Sequence, residues 1–266
     1  KRNKMKIKRQ ETKGKNGKVL VVGGSKDYVG APYLAAMAAF KTGVDLVTVC
    51  APEKVSWTLN SMSPDLITKK MLGEELDLSH VKEILSLCEK NDVLLIGNGL
   101  GEKKEFVNKI IRNCTIPMVI DADAIKVIDV SLIENSIITP HSKEFEILYN
   151  NSTRKKDFHE NNEDNIKTIQ KIMNNNVILL KGKHDIIFTR HRKHTNKTGT
   201  NTMTVGGTGD VLAGICAGLL SRSKKFFDSA KDSAYINGKT GEYCQKQYGV
   251  TYLASDMLNE VKKFLW

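Results

Sequence analysis

Short runs that are apolar throughout recur along the chain, and the stretches between them carry apolar residues at helical spacing. Residues 18–22 (KVLVV), 45–50 (DLVTVC), 93–96 (VLLI), 118–120 (MVI), 136–139 (SIIT), 177–181 (VILLK) and 186–189 (IIFT) read as strands. Residues 32–40, 81–90, 103–113, 144–150 and 166–173 read as helices. Pro32 suits a first helical turn, which leaves its missing donor unneeded, and Gly43 marks that helix's end. Strands without a polar face, alternating with helices, predict an α/β fold: a mainly parallel central sheet with helices on both faces. The polar residues 150–165 are expected to be a surface loop or linker. After Asp185 strand follows strand, which suggests a hairpin, and residues 208–221, 228–248 and 255–265 read as helices. The pattern predicts one domain over residues 18–266, preceded by a basic tail or linker at 1–17.

Charge supports that division. The chain has 266 residues and a formal net charge of +11. Residues 1–18 hold nine Lys or Arg against one Glu, so the other 248 carry only three of the eleven charges. Basic charge gathered in a tail without interleaved aromatics argues against a nucleic-acid-binding face. The five scattered cysteines, odd in number, form no CxxC pair, which argues against a zinc site and a disulfide framework and suits a reducing cytoplasm. No apolar run reaches 18 residues and no signal peptide is visible, so no membrane association is expected.

The most informative segment is residues 205–214, VGGTGDVLAG. Glycines just before an apolar helix let a ligand approach the unsatisfied first N–H groups, a natural anion site. Asp210 there is either a helix cap or a base that deprotonates a hydroxyl attacking a bound phosphoryl group. A second Gly-rich strand-to-helix turn lies at residues 97–101 (GNGLG), and a third break at Gly23-Gly24-Ser25. In parallel sheets ligands gather at such strand ends. Neither the dinucleotide fingerprint nor the P-loop pattern is present. Asp121 and Asp123 follow a strand and could hold Mg2+ or a ribose, or cap a helix. His141 and Glu144 share one face if a helix starts there, as a capping arrangement or as a polar pair near phosphate and magnesium. Lys181 could meet a nucleotide phosphate or sit exposed. His80, His159, His184, His191 and His194 show no ligand spacing and read as surface residues.

As a set, residues 13–36 (KGKNGKVLVVGGSKDYVGAPYLAA), 96–101 (IGNGLG), 120–124 (IDADA), 139–148 (TPHSKEFEIL), 179–182 (LLKG) and 204–220 (TVGGTGDVLAGICAGLL) resemble the NAD(P)H-hydrate dehydratase family of the ribokinase-like superfamily. The resemblance implies dehydration of the S epimer of hydrated NADH or NADPH, through transient phosphorylation of its hydroxyl by a nucleotide. It implies Asp210 as the base and Gly207, Thr208 and Gly209 as the anion turn. Lys181, Gly182, Lys183, His184 and Asp185 would contact the adenine nucleotide. Ala31, Gly99, Gly101 and His141, with Asp210, would line the hydrate site, and Glu144 would help hold Mg2+ through water. GGTGD with TPH resembles the ADP-dependent members, so ADP is expected over ATP. An NAD(P)H-hydrate epimerase, fused or separate, is an expected partner, and a homo-oligomer is expected. The chain departs from the family at Ser142-Lys143, where a Pro-Gly pair is common, and at residues 199–204 (GTNTMT). The competing readings are a thiazole or hydroxymethylpyrimidine kinase of the same fold, and a non-catalytic nucleotide- or nucleic-acid-binding protein.

Overall fold

The computed structural model describes residues 9–12, 14–155, 157–159 and 162–265. Nine strands form one sheet: β1 (Lys18–Val22), β2 (Leu46–Pro52), β3 (Ile67–Met71), β4 (Val93–Ile96), β5 (Met118–Ile120), β6 (Ser136–Ile138), β7 (Val177–Leu180), β8 (Asp185–Phe188) and β9 (Lys193–Asn196). Their order is β3-β2-β1-β4-β5-β6-β7-β8-β9, parallel as far as β7 and antiparallel for β8 and β9. The order reverses at β1, which pairs with β2 on one side and β4 on the other. That is where an open parallel sheet leaves a crevice at its carboxyl edge.

Alternation along β1 shows why its strands lack a polar face. Leu20 and Val22 join an apolar layer with α3 (Val81–Cys88), α4 (Lys104–Asn113), α5 (Ser142–Thr153) and α6 (Asn162–Ile172). Val19 and Val21 point the other way, into a layer with α1 (Gly30–Lys41), α7 (Thr208–Ser223) and α8 (Phe226–Tyr248). Helix α9 (Ala254–Glu260) packs outside α7 and α8, and its last turn tightens at Val261–Phe264. Helix α2 (Glu53–Met62) follows β2.

Helices α1 and α7 approach unusually closely. A Cβ placed on Gly214 would lie 2.1 Å from the Ala35 carbonyl oxygen, and one on Gly218 would lie 2.2 Å from Thr42 Oγ1. No residue with a side chain fits there, so the Ala-rich sequence of α1 and the two α7 glycines are read together as one small-residue seam.

Several expectations are corrected. Residues 150–165 are not one loop: α5 runs on to Thr153 and α6 begins at Asn162. His80 is buried, its Nδ1 accepting from the Asp77 amide and its Nε2 lying 2.9 Å from the Leu72 carbonyl. It ties a turn together, which a lone histidine on the sequence does not reveal. The charge pattern assigns residues 14–17 to the tail, yet Asn16 is buried against the body. The Asp45 carboxylate accepts from the amides of Gly14 (2.6 Å) and Asn16 (3.0 Å), from Asn16 Nδ2 (3.1 Å) and from Arg9 (3.2 Å). Residues 1–8 lie outside the described residues.

Candidate active site

Helix α7 starts where the sequence leaves it no choice. Gly207 has φ +94, a left-handed conformation open to glycine, and the helix begins at the next residue with free N–H groups. Thr208 turns its hydroxyl back onto the carbonyls of Met203 (2.8 Å) and Val205 (3.2 Å), fixing the turn from below. The turn forms one wall of a cavity of about 880 Å3. Lys181, Gly182, Lys183, His184 and Asp185 line the same cavity, beside Gly207, Thr208 and Gly209. The residues expected to take the nucleotide are therefore brought together, although they come from segments more than twenty residues apart. His141, expected among the hydrate residues, opens into this cavity too. Met203, Leu212 and Asn237 add a part that sequence reasoning did not single out.

Asp185 serves the cavity's frame. Its oxygens accept from the Gly182 amide (3.2 Å) and from Asn196 Nδ2 (3.0 Å), closing the turn between β7 and β8. Burial, only partly offset by those donors, holds its carboxyl above the ordinary value.

Asp210 lies in the first turn of α7 but caps nothing in the described structure. Its carboxylate accepts from Asn98 Nδ2 at 2.7 Å, and the same nitrogen donates to Asp121 at 2.9 Å. Asp121, buried at the end of β5, also accepts from Thr139 Oγ1 (2.7 Å) and Lys181 Nζ (3.0 Å). Lys181 Nζ is 3.7 Å from Glu144. Burial and the neighbouring Asp121 charge push the Asp210 carboxyl up to about 7; Asn98 and Lys181 pull against them, and Glu144 adds to the rise. Burial works to strip the proton from Lys181, but the carboxylates of Asp121 and Glu144 outweigh it and hold its proton affinity above the ordinary value. Sequence reasoning missed Asn98, and it treated Asp121 as a ligand or cap when its carboxylate is the hub of this network.

His141 and Glu144 form the capping box of α5. His141 Nδ1 accepts from the amides of Lys143 (3.1 Å) and Glu144 (3.3 Å), and Glu144 accepts from the His141 amide at 2.8 Å. Unlike the exposed Glu of a simple cap, Glu144 is buried. The hydrate half of the expected site is adjacent. A Cβ on Gly99 would lie 3.2 Å from the Ala31 Cβ and 2.8 Å from the Tyr28 Cβ, so the loop carrying Gly99 touches the start of α1 at Ala31. The Gly101 amide donates to Asp123 (2.8 Å), which sets that loop's far end. Ala31, Gly99 and Gly101 do not line the cavity of Lys181 and Gly209. Asp210 joins the two regions: its neighbour Gly209 faces the cavity, and Asn98 ties its carboxylate to the loop of Gly99.

A doubly covered, mostly parallel sheet with a Gly-rich turn ahead of a long helix is the fold that this chain shares with ribokinase-like structures. The chain is 23% identical to a ribokinase-like superfamily protein of Enterococcus faecalis, with a TM-score of 0.83 over 97% of this chain and 90% of that one. Residues 19–263 match the family model described as NAD(P)H-hydrate dehydratase, and the chain belongs to that family. It is 40% identical over 261 residues to a bifunctional NAD(P)H-hydrate repair enzyme of Methanothermobacter thermautotrophicus, covering 94% of this chain and 50% of the relative. It is 35% identical over 263 residues to an ADP-dependent (S)-NAD(P)H-hydrate dehydratase of Nitrosopumilus maritimus, covering 96% and 90%. The chain spans about half the length of the first curated relatives it matches.

Proposed function

We propose that this chain dehydrates hydrated NADH or NADPH, S epimer, with ADP as the phosphoryl donor. The observation that carries the reading is the place of Asp210, a half-buried carboxylate between the cavity at residues 207–209 and the region where the first turn of α1 at Ala31 meets the loop of Gly99. A carboxyl held near pH 7 can take a proton from an alcohol whose attack forms the transition state. ADP would lie along Lys181–Asp185, with its terminal phosphoryl group at Gly207, Thr208 and Gly209. The N–H groups there would stabilise the charge that spreads over the phosphoryl oxygens. Asp210 would take the proton of the hydrate hydroxyl as its oxygen bonds to phosphorus and AMP leaves. The ring nitrogen lone pair then expels phosphate, and loss of the adjacent carbon's proton restores the dihydropyridine. Ala31, Gly99, Gly101 and His141 would hold the hydrate.

Among the described residues no group of three or more His, Cys, Asp or Glu is placed to hold a metal ion. Glu144 is already engaged by the His141 amide. A magnesium ion would be held by nucleotide phosphate oxygens and water, meeting Glu144 only through water, and no step is assigned to it. No helix among the described residues is long and apolar enough to cross a membrane. An epimerase, on the same polypeptide or another, is the expected supplier of the S epimer.

The test is direct. Hydrated NADH is mixed with the protein and either ADP or ATP, and the absorbance of restored NADH is followed. ADP should give the faster rate. A stable phosphorylated product without NADH would place the protein among the small-molecule kinases instead.

A further inference from the structure

Asn98 is fully buried just beyond β4, and its two ends are treated very differently. Its main-chain carbonyl accepts from the Gly24 amide at 2.9 Å, fixing the residue from one side. Its Nδ2 donates to Asp121 Oδ2 at 2.9 Å and to Asp210 Oδ1 at 2.7 Å. Its Oδ1 has no partner. Turning the amide over would set that oxygen against two carboxylate oxygens, so the orientation is fixed by its acceptors. A buried amide with an orphaned oxygen is a poor choice for packing, since an apolar residue would avoid that loss. What it supplies is one hydrogen to each of two neighbouring acids.

The two acids differ in their other partners. Asp121 also has Thr139 and Lys181. Among the described residues, Asn98 is the one hydrogen-bond donor to the Asp210 carboxylate. We infer that Asn98 is the positioning residue for Asp210: its amide holds that carboxylate in place, and by serving each acid with its own hydrogen it keeps the two from sharing a proton. The inference rests on the reading of Asp210 as the base. Neighbouring carboxylates without separate donors tend to bind one proton between them, which would leave the base occupied at neutral pH. The charged groups facing Asp210 are Asp121 after β5, Lys181 after β7 and Glu144 in α5. Asp121 and Glu144 favour the protonated acid, and Lys181 and the Asn98 amide oppose them.

The experiment follows the Asp210 carboxyl by carbon NMR from pH 4 to 10 in the wild type, Asn98→Ala, Asn98→Ser and Asp121→Asn. The pH dependence of NADH-hydrate turnover and the affinity for ADP are measured alongside. Asn98→Ala should move the Asp210 titration up by about one unit, the size expected for a lost hydrogen bond to a charged group. Turnover should then fall about tenfold at pH 6 and much less at pH 9, with ADP affinity within about threefold of wild type. Asn98→Ser, whose hydroxyl can serve only one acid, should lie between. Asp121→Asn removes the competing charge and should move the titration down, which calibrates the carboxylate coupling, and Asn98→Ser decides the matter if Asn98→Ala does not fold. An unmoved Asp210 titration in both Asn98 variants, or a loss of turnover equal at every pH, overturns the assignment. Failure of the wild type to restore NADH with either nucleotide would sink the proposed reaction separately, while the carboxyl titrations would still decide what Asn98 does.

Discussion

The ammonium of Lys181 lies 3.0 Å from the Asp121 carboxylate, beside the turn at residues 207–209. A Cβ on Gly209 would sit 3.5 Å from the same ammonium. Lys181 therefore faces Gly209, where the proposed reaction puts the phosphoryl group, and the carboxylate network at once. Because its charge pulls the Asp210 carboxyl down, its removal has a predictable sign. Turnover in the wild type should rise with pH through about 7 and level off above it, as Asp210 loses its proton. Lys181→Gln should carry that rise to higher pH as well as weakening ADP. Rates at saturating substrate from pH 5 to 10 check both, and an unmoved rise would mean that Lys181 serves the nucleotide alone.

Asp210→Asn should keep the fold and the affinity for ADP but lose turnover by about 10²- to 10⁴-fold, the usual cost of removing a general base. It should also stabilise the protein. The Asp210 carboxyl sits above its ordinary value, so its ionisation costs the folded state. That cost builds up between 3.8 and about 7 and is complete above. The stabilisation should be about 1–4 kcal/mol at pH 8 and smaller near pH 4. Thermal melts at the two pH values, with turnover assays, measure it. A variant with normal turnover would return Asp210 to the role of a helix residue.

Asn237 projects from α8 beside the cavity, is nearly buried, and its Oδ1 has no partner. An amide so placed is satisfied when a ligand fills the cavity. Asn237→Leu should weaken ADP by about tenfold, or about 1.4 kcal/mol, without lowering the melting temperature. Calorimetric titration with ADP tests this, and unchanged affinity would show that the nucleotide does not reach α8.

Removing residues 1–8 should leave melting and turnover close to wild type. Removing residues 1–16 should not, because Asp45, with a side chain only 4% exposed, loses all its donors. Leaving such a group unsatisfied costs about 1–3 kcal/mol. Asp45→Ala in the full chain should reproduce the loss of stability. Equal melting of the two truncated forms would show that the Asn16–Asp45 contact contributes nothing.

The strands that were legible in the sequence are those buried on both faces, since an unbroken apolar run needs cover from a layer on either side. The strands that were not are polar for a physical reason. β3, ITKKM, lies at one sheet edge with Ile67 and Lys69 exposed, and β9, KHTN, lies at the other with three of its four residues exposed. Helix α2 follows β2 directly after Pro52, without a glycine to announce the change. At the site, glycines and an acid before a helix pointed to Asp210, and a shared strand end pointed to Lys181. Nothing local marks Asn98. Its partners are 23 and 112 residues away, and only the sheet order brings the ends of β4, β5 and β7 beside the start of α7.

The seam between α1 and α7 ties the proposed places of the two substrates to each other. Ala31 lies in the first turn of α1, and Gly209 and Asp210 in the first turn of α7. With Gly214 and Gly218 pressed against the α1 backbone, the two helices cannot slide without collision. On the proposed reaction, the distance over which a phosphoryl group would travel is thus written into the thickness of two glycines a full turn or more from Asp210. Alanine at either position would have to push the two helices apart, and so would act as a change of gauge between Ala31 and Asp210 as well as a packing defect.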